Sequence, residues 1–113
     1  MKQKVDFNKG WLETVICSAR KGQDARLRRA LEARSSLRIR QEGCHASWVS
    51  RSLDGQPMFL VQSWFADEAA WRRISEHVEA TLGAHDVLEE LLAGPPLVGA
   101  FEGPDLPENT ATG

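Results

Sequence analysis

The sequence contains no tyrosine, only two cysteines and no apolar run as long as a membrane span. Cys17 and Cys44 are too few for a disulfide scaffold, and neither belongs to a CxxC or HxxxH metal-binding pattern. A spanning helix needs about 18 or more apolar residues, and no apolar stretch follows the charged N-terminus. We therefore expect a cytoplasmic protein with no membrane segment, no secretory signal and no bound metal.

The chain also lacks an excess of positive charge, with 14 basic and 16 acidic residues. Binding to nucleic acid depends on such an excess, because it releases phosphate counterions, so we expect no nucleic-acid partner. The charges are unevenly distributed: eight basic residues lie between Arg20 and Arg40, and none follows Ile74. A basic helix that pairs with an acidic neighbour explains this pattern, each exposed pair contributing about 0–1 kcal/mol. The alternative is a phosphate- or nucleic-acid-binding face.

The hydrophobic pattern predicts four strands and two main helices around one core. The predicted strands are residues 11–19, 45–52, 58–64 and 97–101. Asp54-Gly55 joins the second and third strands as a hairpin turn, because glycine tolerates positive φ. The first helix is predicted over residues 24–37, with Leu27, Ala30, Leu31 and Ala33 toward the sheet. The second begins at Asp67 and continues, after a break at Gly83, into a further helical segment that ends before Gly94.

The element order β-α-β-β-α-β predicts an α+β, ferredoxin-like fold, with two helices on one face of a four-stranded antiparallel sheet. The folded domain is predicted over residues 11–102, with an N-terminal arm at 1–10 and a mobile C-terminal tail at 103–113. The first strand is apolar on both faces, so the face without helices is expected to be apolar as well. Such a face predicts a homodimer formed through the two sheets.

Several segments resemble the antibiotic biosynthesis monooxygenase family, whose members form dimeric α/β barrels. The resemblance covers roughly residues 11–102, and the segments that carry it are Gln41-Glu42-Gly43-Cys44, Phe59-Leu60-Val61-Gln62-Ser63-Trp64, Asp67-Glu68-Ala69-Ala70 and Leu91-Leu92-Ala93-Gly94-Pro95-Pro96. It implies a homodimer with a pocket between sheet and helices in each subunit. Many members oxygenate aromatic polyketides or quinols without metal or flavin, a branch degrades haem, and others have no assigned activity.

The chain departs from the family pattern at several positions. Family members often carry histidine nine residues beyond the strand-three tryptophan, where this chain has Arg73; His77 matches a second, less regular histidine position. The tyrosine partners of the aromatic-oxygenating branch are absent. The haem-degrading branch has an asparagine on the first strand, where this chain offers Thr14. The resemblance therefore implies the fold more directly than the activity.

The candidate substrate-binding residues are three of the four tryptophans, together with Thr14. Trp64 ends the third strand, from which its indole is expected to reach the space between sheet and helices, as a pocket wall or as core. Trp48 and Trp71 are candidates for the same pocket, with packing in the core or the dimer interface as the alternative.

The candidate catalytic residues lie on the second helix. His77 borders the predicted apolar stripe of Ile74 and Val78, where it would exchange a proton with a phenol or ligate haem iron. The alternative is a boundary histidine bonded to backbone or water. Arg73 would hold an anion at the pocket mouth, or else contact solvent and acidic neighbours.

The leading hypothesis is a cofactor-independent monooxygenase that acts on a flat, electron-rich aromatic such as a quinol or polyketide. The second hypothesis is a non-catalytic ligand-binding or stress-related dimer that uses the same pocket. The third hypothesis is haem degradation.

Overall fold

The computed structural model describes residues 10–85 and 87–104, and it has the predicted order of elements. The strands are β1 (Trp11–Ser18), β2 (Cys44–Arg51), β3 (Met58–Phe65) and β4 (Leu97–Glu102). The helices are α1 (Asp24–Ile39), α2 (Glu68–Leu82) and the short α3 (Leu88–Leu91). The predicted arm at 1–10 and tail at 103–113 fall almost entirely outside the described residues. No described helix is both long enough and apolar enough to cross a membrane.

The four strands form one sheet in the order β2-β3-β1-β4, with every neighbouring pair antiparallel. The α+β, ferredoxin-like prediction is therefore confirmed, including the β2–β3 hairpin. Along β3 the side chains alternate, since Phe59, Val61, Ser63 and Phe65 are buried while the intervening residues are only half-buried. We call the side that bears these four residues the helix face, because α1 and α2 pack on it, and the other side the open face.

The packing of α1 differs from the prediction at its C-terminal half. Leu27, Ala30 and Leu31 are buried as expected, but Ala33 is exposed and Arg34 is buried in its place. Residues spaced three and four apart stay on one stripe of a helix, and Arg34 continues the stripe of Leu27 and Leu31. Ala33 lies about 100° away from Arg34 around the axis. The inward side of α1 is thus apolar in its first half, and in its second half it combines polar side chains with Leu37.

Two of the ion pairs of the described residues lie within a single helix. Arg28 pairs with Glu32 and Arg72 pairs with Glu68, each four residues apart on one helix. Among the described residues, one ion pair joins α1 to α2, with Arg34 Nε 3.9 Å from a carboxylate oxygen of Glu79. The expected pairing between exposed flanks is therefore replaced by a contact that starts from a buried arginine.

Gly43 lets the start of β2 approach α2 closely. Its φ of +103° is accessible to glycine, and an added Cβ would lie 3.0 Å from the Cβ of Ala70 and 3.1 Å from Nη2 of Arg73. The backbone carbonyl of Gly43 accepts a hydrogen bond from the amide of Ala66, just before α2. The resemblance segment around Gly43 therefore has a structural role at this junction.

Asp67, the predicted start of the second helix, is the residue that caps α2, and its carboxylate accepts a hydrogen bond of 2.8 Å from the Ala70 amide. Replacing Asp67 with alanine should lower the free energy of unfolding by about 1 kcal/mol, because the first amides of the helix lose their acceptor. Urea unfolding followed by circular dichroism measures this change. Asp67→Asn, which keeps a side-chain acceptor, should retain most of the stability, and equal losses in both variants would contradict the capping role.

Candidate functional site

A row of polar side chains crosses the helix face in the middle of the sheet. Ser47 of β2 pairs in register with Ser63 of β3, which pairs on its other side with Glu13 of β1. The Ser47 hydroxyl lies 2.9 Å from that of Ser63 and 2.7 Å from that of Ser35 on α1. This row separates two apolar clusters, one around Leu27 and Phe59 and one around Phe65 and Ile74.

Two arginines of α1 extend the polar region above the row. Arg34 is only 2% exposed and donates from Nη1 to the carbonyl oxygen of Ala30. Arg38, one turn later, is half-buried, and its Nη1 is a buried atom with no hydrogen-bond partner among the described residues. Burial lowers the pKa of the Arg38 guanidinium, while the negative charge of Glu13 acts in the opposite direction. Arginine remains charged at neutral pH, so α1 holds a half-buried cation whose pKa responds to the charge of Glu13.

Glu13 also binds Trp71, which in turn stacks on Trp11. The indole Nε1 of Trp71 on α2 donates a 3.1 Å hydrogen bond to a carboxylate oxygen of Glu13. The Trp71 ring stacks on Trp11 of β1 with ring centroids 4.9 Å apart and an interplanar angle of 25°. Trp11, Glu13, Arg38 and Trp71 therefore form one group, which we call the Glu13 site.

The Glu13 site lies beside a part of the helix face that the helices leave uncovered. Helices α1 and α2 pack over β2 and β3, whereas β4 at the sheet edge makes few contacts with either. Val98 of β4, which points to the helix face, is 58% exposed. At this edge a pocket of about 280 Å³ is lined by Gly10, Trp11, Ala100, Phe101 and Glu102. Of the Glu13 site, this pocket reaches Trp11.

The open face carries three of the predicted substrate-binding residues. Trp64 pairs with Leu12 and Ala46 and alternates with buried Ser63 and Phe65, so it lies on the side opposite the helices. This corrects the expectation that its indole reaches the space between sheet and helices, because the parity of the strand sends it the other way. The edge of the His45 ring contacts Trp64, with ring centroids 5.1 Å apart.

Trp48 and Thr14 share the open face with Trp64. Trp48 is 40% exposed, and Thr14 accepts a 3.3 Å hydrogen bond from Nε2 of Gln62 on the neighbouring strand. The same face exposes Ile16, Leu97 and Phe101. The open face is therefore apolar and rich in aromatic side chains, as the pattern of β1 predicted.

The predicted catalytic residues lie on the outer side of α2. Arg73 is exposed and donates from Nη2 to the carbonyl oxygen of Glu42, at 3.1 Å, which ties α2 to the loop before β2. His77 is exposed rather than at the border of the buried stripe, and its backbone carbonyl accepts a hydrogen bond from Thr81. The structure does not bring His77 and Arg73 together with Trp64, since the sheet separates them. Of the six predicted site residues, Trp71 alone belongs to the Glu13 site.

The described residues contain no group of three or more histidine, cysteine, aspartate or glutamate side chains that could hold a metal ion. Cys17 is buried, and Cys44 is half-buried beside the polar row. Burial raises the pKa of both thiols, which lowers their thiolate fraction at neutral pH. Neither thiol is therefore activated as a nucleophile.

Sequence reasoning missed Glu13, Arg34 and Arg38, although each left a signal. Glu13 is the only charged residue in an otherwise apolar strand, on the same parity as Trp11 and Val15. Arg34 and Arg38 continue the buried stripe that begins at Leu27. The prediction placed the arginines of α1 in solvent because charged side chains are seldom buried.

Comparison with known proteins identifies the family. The family model described as "Antibiotic biosynthesis monooxygenase" matches residues 16–82, which is more than half of the chain. The chain belongs to this family. No curated protein sequence matches it significantly.

Solved structures from distant organisms share the fold of this family member. A Nitrosomonas europaea protein provisionally assigned as an antibiotic biosynthesis monooxygenase has a TM-score of 0.76 and 13% identity, covering 91% of this chain and 95% of its own. Protein Rv0793 of Mycobacterium tuberculosis has a TM-score of 0.74 and 18% identity, covering 87% and 98%. Protein PA3566 of Pseudomonas aeruginosa has a TM-score of 0.72 and 19% identity, covering 82% and 92%. At these identities the comparison shows the fold alone.

Removing the central hydroxyl of the serine row should destabilise the protein. Ser47→Ala leaves the hydroxyls of Ser35 and Ser63 without their shared partner, and an unsatisfied buried polar group costs about 1–3 kcal/mol. Urea unfolding measures this loss. Ser36→Ala, at an exposed position of α1, is the matched control and should change stability by less than about 0.5 kcal/mol. Equal effects of the two substitutions would show that the row contributes nothing.

Proposed function

We propose that this protein is a cofactor-independent monooxygenase whose substrate is a flat, electron-rich aromatic, a quinol or a polyketide-like compound. The observation that carries the proposal is the Glu13 site, in which the Glu13 carboxylate accepts a hydrogen bond from Trp71 and the Trp71 ring stacks on Trp11. Family membership and the relatives assigned as monooxygenases support the reaction class.

Glu13 is the proposed proton acceptor, in place of the exposed His77. A substrate hydroxyl that donates to Glu13 loses its proton in the reaction, and the resulting phenolate is electron-rich enough to transfer one electron to dioxygen. Trp71 orients the Glu13 carboxylate through its hydrogen bond and provides a flat wall for the ring. Arg38 supplies positive charge that stabilises the developing oxyanion in a region with little water.

In the proposed reaction the substrate supplies all the electrons that dioxygen receives, so no further reductant is needed. Recombination of the superoxide with the substrate radical forms a carbon–oxygen bond, and protonation of the peroxide by the Glu13 carboxyl returns the proton. Loss of water then leaves a carbonyl on the substrate. One atom of dioxygen enters the product and the other leaves as water, together with the two hydrogens that the substrate loses.

We also propose that the protein is a homodimer joined through its open faces. Trp48 and Phe101 of this face are 40% and 59% exposed, and an apolar sheet face of this kind is buried against a second copy in many small proteins. The dimer would cover Trp64 and Thr14 and leave the Glu13 site on the outer, helix side of each subunit.

Oxygen consumption with a panel of hydroquinones and hydroxynaphthalenes tests the activity. Glu13→Gln keeps an acceptor for Trp71 but cannot take a proton, so the rate should fall by about 10²–10⁴-fold. His77→Ala and Trp64→Phe should keep the rate of oxygen consumption within a few-fold of the wild-type rate. A large loss of rate in His77→Ala would show that His77, and not Glu13, accepts the proton. Absence of turnover on every compound would contradict the proposal; a ligand-dependent rise in Tm would then favour the non-catalytic binding protein.

Sedimentation velocity tests the dimer with two substitutions on one strand. Phe101→Asp places a charge on the open face and should give a monomer, because a carboxylate buried without a partner opposes association. Val98→Asp is the matched control, since Val98 is equally exposed but lies on the helix face, and it should leave the dimer intact. Dissociation by Val98→Asp, or a dimer that survives Phe101→Asp, would place the interface elsewhere.

A further inference from the structure

The open face has a pocket at the end of the sheet where the β2–β3 hairpin turns. It holds about 260 Å³, and four of its lining residues lie on the open face by their register: Ile16, Ser50, Met58 and Leu60. We call it the hairpin pocket. Ser50, on the edge strand β2, is exposed and small, whereas the other three side chains are apolar. The pocket therefore suits an apolar side chain that approaches from above the open face.

A protruding apolar side chain lies at the same end of the sheet, on the opposite edge strand. Leu97 of β4 is 70% exposed, lies on the open face and pairs in register with Ile16. Ile16 pairs with Leu60, and Leu60 pairs with Ser50. Leu97 and Ser50 are thus at one level of the sheet, a large side chain on one edge and a small one on the other.

The two other levels of the open face show the same difference in size between the edges. At the middle level Trp48 of β2 corresponds to Gly99 of β4, and at the far level Ala46 of β2 corresponds to Phe101 of β4. The ring of Phe101 leans over Gly99, since a Cβ added to this glycine would lie 3.0 Å from the ring. At every level one edge is large where the other is small.

This pattern distinguishes two ways of placing a second copy on the open face. A two-fold axis along the strands exchanges the edges and keeps the levels, so Trp48 of one copy meets Gly99 and the ring above it in the other copy. A two-fold axis across the strands keeps the edges and reverses the levels, so Trp48 meets Trp48 and Gly99 meets Gly99. The first arrangement sets large against small, whereas the second crowds one edge and leaves a gap at the other. Close packing favours the first.

The two central strands agree with an axis along the strands. Such an axis lays β3 of one copy over β1 of the other, which sets Leu60 against Ile16 and Gln62 against Thr14. Apolar side chains thus meet at one level and polar ones at another. Gln62 already donates to Thr14 within its own chain, so part of this polar pair is satisfied before the interface forms.

We propose that two copies of the chain pack about a two-fold axis parallel to the strands, and that Leu97 of each copy fills the hairpin pocket of the other. Packed sheets keep their strand directions within about 30° of each other, so residues at one level remain neighbours across the interface. The inference rests on the proposed homodimer and adds the orientation of its two copies and the occupant of the pocket.

Chemical linking tests the orientation. Chains with Ser50→Cys and chains with Leu97→Cys, both also carrying Cys44→Ser, are mixed and treated with a bismaleimide that spans the roughly 10 Å between two packed sheets. Cys17 is buried and does not compete. The mixture should give linked dimers and neither chain alone should, because each position lies about three strand spacings, roughly 14 Å, to one side of its own copy.

Two results of the linking would overturn the arrangement. One is the absence of linked dimers in the mixture while sedimentation still shows a dimer. The other is the linking of Trp48→Cys chains to each other, which would show that the axis runs across the strands. A wild-type chain that sediments as a monomer would instead refute the homodimer itself, and oxygen consumption tests the proposed reaction independently of both.

Exchanging the two sizes tests the contact between Leu97 and the hairpin pocket. Ser50→Leu sets two leucines against each other and Leu97→Ser leaves the pocket unfilled, so each should raise the Kd of the dimer about tenfold or more. The double variant restores one large and one small side chain and should return the Kd to within about threefold of the wild type. Additive losses in the double variant would contradict the contact. Val98→Ser, at the exposed neighbour on the helix face, is the matched control and should leave the Kd unchanged.

A small-molecule ligand is the other occupant that the pocket could take. The dye 8-anilinonaphthalene-1-sulfonate fluoresces on exposed apolar surface, and it should respond to the Phe101→Asp monomer and much less to the wild-type dimer. Adding Ser50→Trp to the monomer fills the pocket and should remove most of this response. A strong response of the wild-type dimer that Ser50→Trp abolishes would show that the pocket stays open in the dimer, and would overturn the assignment of Leu97.

Discussion

The burial of charge inside a small sheet-and-helix domain is the constraint on which the rest of this structure depends. A carboxylate or guanidinium taken out of water loses several kcal/mol of solvation, which only opposite charge and well-placed hydrogen bonds offset. Each of these groups has such a partner: Trp71 donates to Glu13, and Arg34 donates to the backbone of α1 and lies 3.9 Å from Glu79. Three serine hydroxyls continue the polar region across the sheet. An all-apolar interior would pack more simply, so the polar interior favours a functional role.

The two faces of the sheet carry different kinds of side chains. The helix face carries the polar row and the Glu13 site, and the helices leave its β4 edge accessible. The open face carries apolar and aromatic side chains suited to a second copy of the chain. Because adjacent residues of a strand point to opposite faces, Glu13 and Thr14 are neighbours in sequence yet belong to different surfaces. The proposed dimer interface and the proposed ligand site are thereby on opposite faces of the sheet.

The exposed position of His77 changes how the family resemblance should be applied. The resemblance drew attention to positions where relatives carry histidine or tryptophan, and in this chain those positions lie on α2's outer side or on the open face. Membership in the family fixes the fold, whereas the chemistry proposed for this chain is argued from the charged groups that it buries. Relatives that lack charges at the positions of Glu13 and Arg38 would need another means of binding the substrate.

The sequence by itself determined the order of elements, the β2–β3 hairpin, the start of the second helix near Asp67 and the apolar open face. These depend on local periodicity, turn chemistry and capping, which act between residues close together in the chain. The tertiary structure decided which parity of β3 faced the helices, and therefore moved Trp64 away from the predicted pocket. It also decided that Arg34 and Arg38 turn inward, because the partners that make their burial tolerable come from β1 and α2, far away in sequence. Local pattern cannot supply such partners; only the folded chain brings them together.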